Sequence, residues 1–163
     1  MNNFYKVSLE QYIKDNNGDE SKKLEWEEIK VPHRATKHSA GYDFYAPFDF
    51  KLKPNETIKF PSGIKVQLDD DKFLAVVPRS SLGFKYRLQL DNTVGIIDSD
   101  YFNNSGNEGH IFIKITNDTN CNKTLKINKG DAVAQGIILQ YFLIDNDDSD
   151  SIREGGFGST NVK

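Results

Sequence analysis

The sequence predicts an all-β protein, a sandwich or barrel of short strands with one short helix and a mobile, glycine-rich C-terminal tail. Three observations carry this. Between residues 40 and 77, short apolar stretches recur at roughly ten-residue intervals with turn residues between them. Ile111, Ile113 and Ile115 then alternate with Phe112 and Lys114, the period of two expected of a half-buried strand. All five prolines lie at or before Pro78, so every later turn relies on Gly, Asn and Asp.

Residues 1–39 form an N-terminal segment of mixed character. Tyr5, Val7 and Leu9 alternate as a strand would, although Leu9 to Ile13 fits one helical turn equally well. Asp15 to Lys23 reads as a polar loop, and Trp26, Ile29 and Val31 as another extended piece. Strands follow at Tyr42–Ala46, Phe48–Phe50, Thr57–Phe60, Ile64–Leu68 and Phe73–Val77, broken by Pro61-Ser62-Gly63 and Asp69-Asp70-Asp71. Pro78-Arg79-Ser80-Ser81-Leu82-Gly83 interrupts the pattern: Ser80 can cap a short helix over Leu82 to Tyr86, or the stretch is an ordinary surface turn with one arginine. Asn92 to Tyr101 reads as strand, turn and strand, with β-branched Val94, Ile96 and Ile97 expected to be half or fully buried. After the polar excursion 102–109, strands are expected at 111–115, 125–127 and 132–142, with Lys129-Gly130-Asp131 as a turn. Residues 1–144 therefore form one β domain, and 145–163 an acidic linker and a tail without periodicity.

The chain has 163 residues, enough for a buried core, and its 37% hydrophobic and 12% aromatic content fits a globular protein. It holds no run of 18 apolar residues, so no membrane association is expected. A single cysteine, Cys121, allows no internal disulfide, and the start has no apolar stretch of signal length, so a cytoplasmic location is expected. A net charge of −3 argues against general nucleic-acid binding but leaves room for a small phosphate ligand held by local cations and backbone amides. His33, His38 and His110 lack metal-ligand spacing.

Four stretches invite a chemical reading. Asp98 follows Ile96-Ile97 directly, and a carboxylate at the end of an apolar strand needs partners or a task; a turn-forming Asp-Ser-Asp is the plain alternative. Arg79 beside a helix start is a plausible anion site. Gln135 is a lone amide among apolar neighbours, where satisfying backbone groups is the default role. In the tail, Phe157 flanked by glycines, near Arg153 and two hydroxyls, makes a backbone able to wrap a phosphate.

Five segments, in order, resemble the five motifs of the homotrimeric dUTPases: Ala40-Gly41-Tyr42-Asp43-Phe44-Tyr45-Ala46, Pro78 to Gly83, Gly95 to Tyr101, Gly130 to Gln135, and Arg153 to Thr160. The resemblance implies a β jelly roll assembled as a homotrimer, each active site drawing on three chains. It implies hydrolysis of dUTP to dUMP and pyrophosphate with Mg²⁺, limiting uracil in DNA and supplying dUMP for thymidylate synthesis. Carried over by match, Asp98 would orient and deprotonate the attacking water. Arg79, Ser80, Ser81, Gly83 and Gln135 would hold the α- and β-phosphates, and Asp43 would reach Mg²⁺ through water. Asn92, with backbone near Ile96, Ile97 and Phe112, would bind uracil, and Tyr101 would pack under the sugar. Phe157 would stack on the base while Arg153, Gly158 and Ser159 close over the γ-phosphate.

The chain departs from the common pattern in four places. Extra residues stand between Tyr101 and Gly109, Arg153 is one residue nearer Phe157, Ala132 replaces an arginine, and residues 1–39 exceed the usual N-terminus. Two other readings share the scaffold: a dCTP deaminase, disfavoured by the glycine-phenylalanine tail, and a non-catalytic nucleotide-binding or regulatory protein meeting an unknown protein partner through residues 1–39 or 102–108.

Overall fold

In the computed structural model, which describes residues 1–150, the described chain is built from eleven strands and three short α-helices. The strands are β1 (Asn3–Lys6), β2 (Tyr42–Tyr45), β3 (Phe50–Leu52), β4 (Thr57–Pro61), β5 (Ile64–Gln67), β6 (Lys72–Pro78), β7 (Leu88–Leu90), β8 (Gly95–Asp98), β9 (Phe112–Asn117), β10 (Leu125–Ile127) and β11 (Ala132–Gln140). The helices are α1 (Leu9–Asp15), α2 (Lys23–Glu28) and α3 (Ser80–Tyr86). One sheet runs β2-β11-β6-β8, a second β4-β9-β7, and β3-β10 and β1-β5 are antiparallel pairs.

Patterning explains the layers. In β9 the side chains of Ile113, Ile115 and Asn117 are buried while Lys114 is exposed, the alternation of a strand with one core face. The middle of β6 reads Leu74-Ala75-Val76, all buried, as suits a strand with a neighbour on each side. Phe44, Leu74 and Val133 of the larger sheet meet Phe60, Ile113 and Leu88 of the second in one continuous core. The tail residues Arg153, Phe157, Gly158 and Ser159 lie outside the described residues.

One open choice resolves, and several expectations need correction. Leu9 to Ile13 is helical: the Ser8 side chain accepts from the Gln11 amide, so the chain turns into α1 after Lys6. Trp26 sits in α2, because Lys-Leu-Glu-Trp-Glu-Glu favours a helix over an extended run. Its indole donates to the Val7 carbonyl at 2.9 Å and so fastens α2 to the start of the chain. Ser80 is not a cap: the extended residue Arg79 fills that position, with no side-chain capping bond, and the helix begins at Ser80.

In the Asn92–Tyr101 stretch only Gly95 to Asp98 pairs, and Ser99–Tyr101 is a 3-10 turn. β8 is an edge strand with β6 as its single neighbour, which leaves Ile96 54% exposed where burial was expected. β11 ends at Gln140, and Phe142, Leu143 and Ile144 beyond it are 69–85% exposed.

The 102–108 excursion folds on itself. The Asn104 side chain accepts from the Gly106 and Asn107 amides and donates to the Tyr101 carbonyl at 2.8 Å. Gly109 closes it at φ +79, where an added Cβ would lie 2.5 Å from the Tyr101 carbonyl oxygen, so only glycine fits.

Candidate active site

Three neighbouring strands assemble the first cluster. In register, Asp43 on β2 faces Gln135 on β11, and Gln135 faces Val77 on β6, two residues before Arg79. Arg79 Nε lies 3.1 Å from Asp43 Oδ1, and Gln135 Nε2 donates to the Pro78 carbonyl at 3.2 Å. The Gln135 amide lies over Gly41, where an added Cβ would push it aside. Burial, and then the nearby Asp43 carboxylate, push the Tyr45 hydroxyl above the ordinary phenol range. Ser80 and Ser81 are exposed at the start of α3. Gly83 lies inside that helix, and an added Cβ would meet nothing within 4 Å. A cleft of about 330 Å³ beside Arg79 and Ser81 also holds Lys85 and Lys126, two cations that no sequence motif marked.

The second cluster is a groove of about 390 Å³ along β8, lined by Asn92, Gly95, Ile96, Ile97, Phe112 and Lys59 among others. It is apolar on β8 and polar at its end, where Asp91 pairs with Lys114 at 2.7 Å and accepts from Thr116 Oγ1 at 2.6 Å. The Lys114 ammonium, with Thr116, holds the Asp91 carboxyl below its usual range. Between Asn92 and Val94, Thr93 takes φ +65, a left-handed conformation costly for a β-branched residue. Such strain clusters at functional sites, and periodicity alone gave no sign of it.

Tyr101 does not line this groove. It is 6% exposed, its hydroxyl donating to the His110 carbonyl at 3.2 Å and accepting from Asn107 Nδ2 at 2.8 Å. Asp98 ends β8 exposed to solvent and stands at the N-cap of the Ser99–Tyr101 turn without a side-chain capping bond. A further cleft of about 340 Å³ between α2 and the Lys129-Gly130 turn contains none of the motif residues that suggested chemistry except Tyr45, Ala46 and Gly130.

Asp98 and the first cluster stand toward opposite ends of β6. Asp98 pairs with Phe73 at its start, while Arg79 follows Pro78 at its finish. Six residue steps of extended chain separate Phe73 from Arg79, about 20 Å at the rise of a strand.

The dUTPase family profile matches residues 27–161, covering both clusters. The chain belongs to the dUTPase family. It is 40% identical over 134 residues to the deoxyuridine 5'-triphosphate nucleotidohydrolase of Lactococcus lactis, covering 81% of this chain and 88% of that one. The same-named protein of Laribacter hongkongensis is 36% identical over 137 residues, 79% of this chain and 87% of that one. The crystal structure of dUTPase from Streptococcus mutans superposes with a TM-score of 0.65 at 31% identity, over 88% of this chain and 99% of that one. The dUTPase from phage phi11 of S. aureus shares the fold, with a TM-score of 0.63 at 19% identity, over 93% of this chain and 97% of that one. The jelly-roll expectation is met, and the protein is an enzyme, a hydrolase of nucleotide metabolism.

Proposed function

We propose that this dUTPase-family enzyme hydrolyses dUTP to dUMP and pyrophosphate at sites built between the chains of a homotrimer. The observation that carries the reading is the separation of Asp98 from Arg79, Asp43 and Gln135 along β6. A neighbouring copy can supply what each end lacks. The exposed apolar run after β11 fits the same assembly, since Phe142 at 85% exposure and Ile144 at 71% need a covering surface.

In the reaction, Asp98 orients a water toward the α-phosphorus and takes its proton. The new P–O bond forms as the bond to the α,β-bridging oxygen breaks, and pyrophosphate leaves. A carboxylate in this role helps mainly by placing the water. From the next chain, Arg79, Ser80 and Ser81 bind the α- and β-phosphates, with Gln135 alongside. Asp43 holds Arg79 by one carboxylate oxygen, and Gly83 leaves space for the phosphates to approach α3. The resemblance adds Arg153, Phe157, Gly158 and Ser159, which would complete the site over the γ-phosphate and base.

Mg²⁺ fits this donor set when it arrives with the triphosphate. No group of three metal-ligating side chains exists among the described residues, so phosphate oxygens and water would supply most of its shell. The second Asp43 oxygen can reach that shell through water. The ion would offset charge developing on the phosphates.

The β8 groove takes the base. Asn92 and the backbone near Ile97 and Phe112 supply a fixed hydrogen-bonding pattern, which cytosine would leave unpaired. By the resemblance, Tyr101 would back the sugar from outside the groove's lining and exclude a 2′-hydroxyl; His110 and Asn107 hold its hydroxyl. We place the reaction in the cytoplasm, where it would limit uracil in DNA and supply dUMP. The test offers purified protein dUTP, dCTP, dTTP and UTP in turn with Mg²⁺. Pyrophosphate from dUTP alone is the expected result; ammonia from dCTP, or dUTP bound without release, would refute the reading.

A further inference from the structure

His110 is a buried ionisable group that the mechanism leaves unused. It is 0% exposed and lies two residues before Phe112, on the second arm of the base-binding hairpin. Its Nε2 accepts from the Gly63 amide at 2.8 Å, so that nitrogen carries no proton. The proton therefore sits on Nδ1, which donates at 2.5 Å to Asp15 Oδ2. Asp15 is the last residue of α1, and Gln11 of the same helix donates to it at 2.8 Å. Burial opposes ionisation of Asp15, but the bonds from His110 and Gln11 outweigh it and keep the carboxyl below its ordinary range.

A second contact reinforces the first. Glu108, at the end of the 102–108 excursion, accepts from the Ser8 amide at 3.0 Å and the Ser8 hydroxyl at 2.5 Å, at the cap of α1. The same carboxylate pairs with Lys65 at 3.0 Å. Thus the long N-terminus and the insertion, two departures without an assigned role, bind each other on either side of His110. Between them the Ile111 amide bonds to the Ile64 carbonyl at 2.9 Å and leads directly to the groove.

We propose that Asp15 and His110 are positioning residues: α1, through this pair, sets the place of backbone 110–112 and so the fit of the base. The proposal rests on the reading of the β8 groove as the base site. Asp15→Leu keeps the bulk and removes the acceptor; Asp15→Asn restores an acceptor for His110. With Asp15→Leu the KM for dUTP should rise about tenfold with kcat within about twofold, and Asp15→Asn should stay near wild type. Amide exchange at His110 and Ile111 should quicken about tenfold in Asp15→Leu, with Ile113 and Ile115 unchanged.

Unchanged KM, or a loss of kcat with KM intact, would show a purely structural pair and overturn the proposal. Unchanged exchange at His110 and Ile111 would overturn it without reference to activity, which separates its failure from failure of the dUTPase reading. If Asp15→Leu does not fold, Glu108→Gln loosens the same clamp from its more exposed side. It should raise KM about threefold, and an unchanged KM would again overturn the proposal.

Discussion

At the scale of the residue, the proposed chemistry rests on Asp98 and Arg79. If Asp98 acts on the water, as proposed, Asp98→Asn should lower kcat by about 10²–10⁴-fold while dUTP affinity stays within a few-fold. Calorimetric titration beside a turnover assay checks this, and equal losses in binding and turnover would contradict the role. Thr93 makes a different prediction. Its φ of +65 is strained for a β-branched side chain, so Thr93→Gly should stabilise the fold by about 1 kcal/mol despite glycine's greater unfolded-state freedom. A lower melting temperature for Thr93→Gly would show that the threonine is held without strain. Asp98, Arg79 and Gln135 could be read from the sequence because they sit in short motifs. Thr93, Lys85 and Lys114 could not, since a backbone angle and cations set beside a site by different elements leave no local pattern.

At the scale of the element, strands were more legible than helices. β4, β5, β6, β9 and β10 follow runs or alternations of apolar residues that survive into the fold. α1 and α2 were obscured because their apolar residues are few, and what holds them is polar: Ser8 to Glu108, Asp15 to His110, Trp26 to the Val7 carbonyl. No periodicity encodes a bond between residues 95 apart. The burial expected for Ile96 failed for a related reason, since a strand's place at a sheet edge depends on which partners find it.

The polar docking of α1 makes its stability pH-dependent. Asp15, facing His110, Gln11 and Lys14, has a folded-state pKa below its ordinary value of 3.8. Its contribution is therefore complete above that ordinary value and is lost as pH falls through the lower, folded one. Asp15→Asn should cost about 1 kcal/mol near neutrality, and the gap in melting temperature from wild type should close as pH falls below about 4. A gap of constant size down to acid pH would mean that the carboxylate charge contributes nothing.

At the scale of the whole molecule, the jelly roll sets Asp98 and the Arg79-Asp43 pair toward the two ends of one strand. β6 is the ruler: its start pairs with the strand carrying Asp98, and its finish releases Arg79 beside Asp43. The family and fold were legible from five motifs in order, but the distance between those motifs in space was not, because it depends on the direction in which β6 and β8 pair. The measurement that tests the central claim most directly is complementation between two inactive variants. Asp98→Asn and Arg79→Ala chains are unfolded together, refolded as a mixture, and assayed for pyrophosphate release from dUTP. If each site takes Asp98 from one chain and Arg79 from its neighbour, random mixing restores one intact site in about four, and about a quarter of wild-type turnover returns. A mixture no more active than the separate variants would place both residues in the same chain's site and contradict the account.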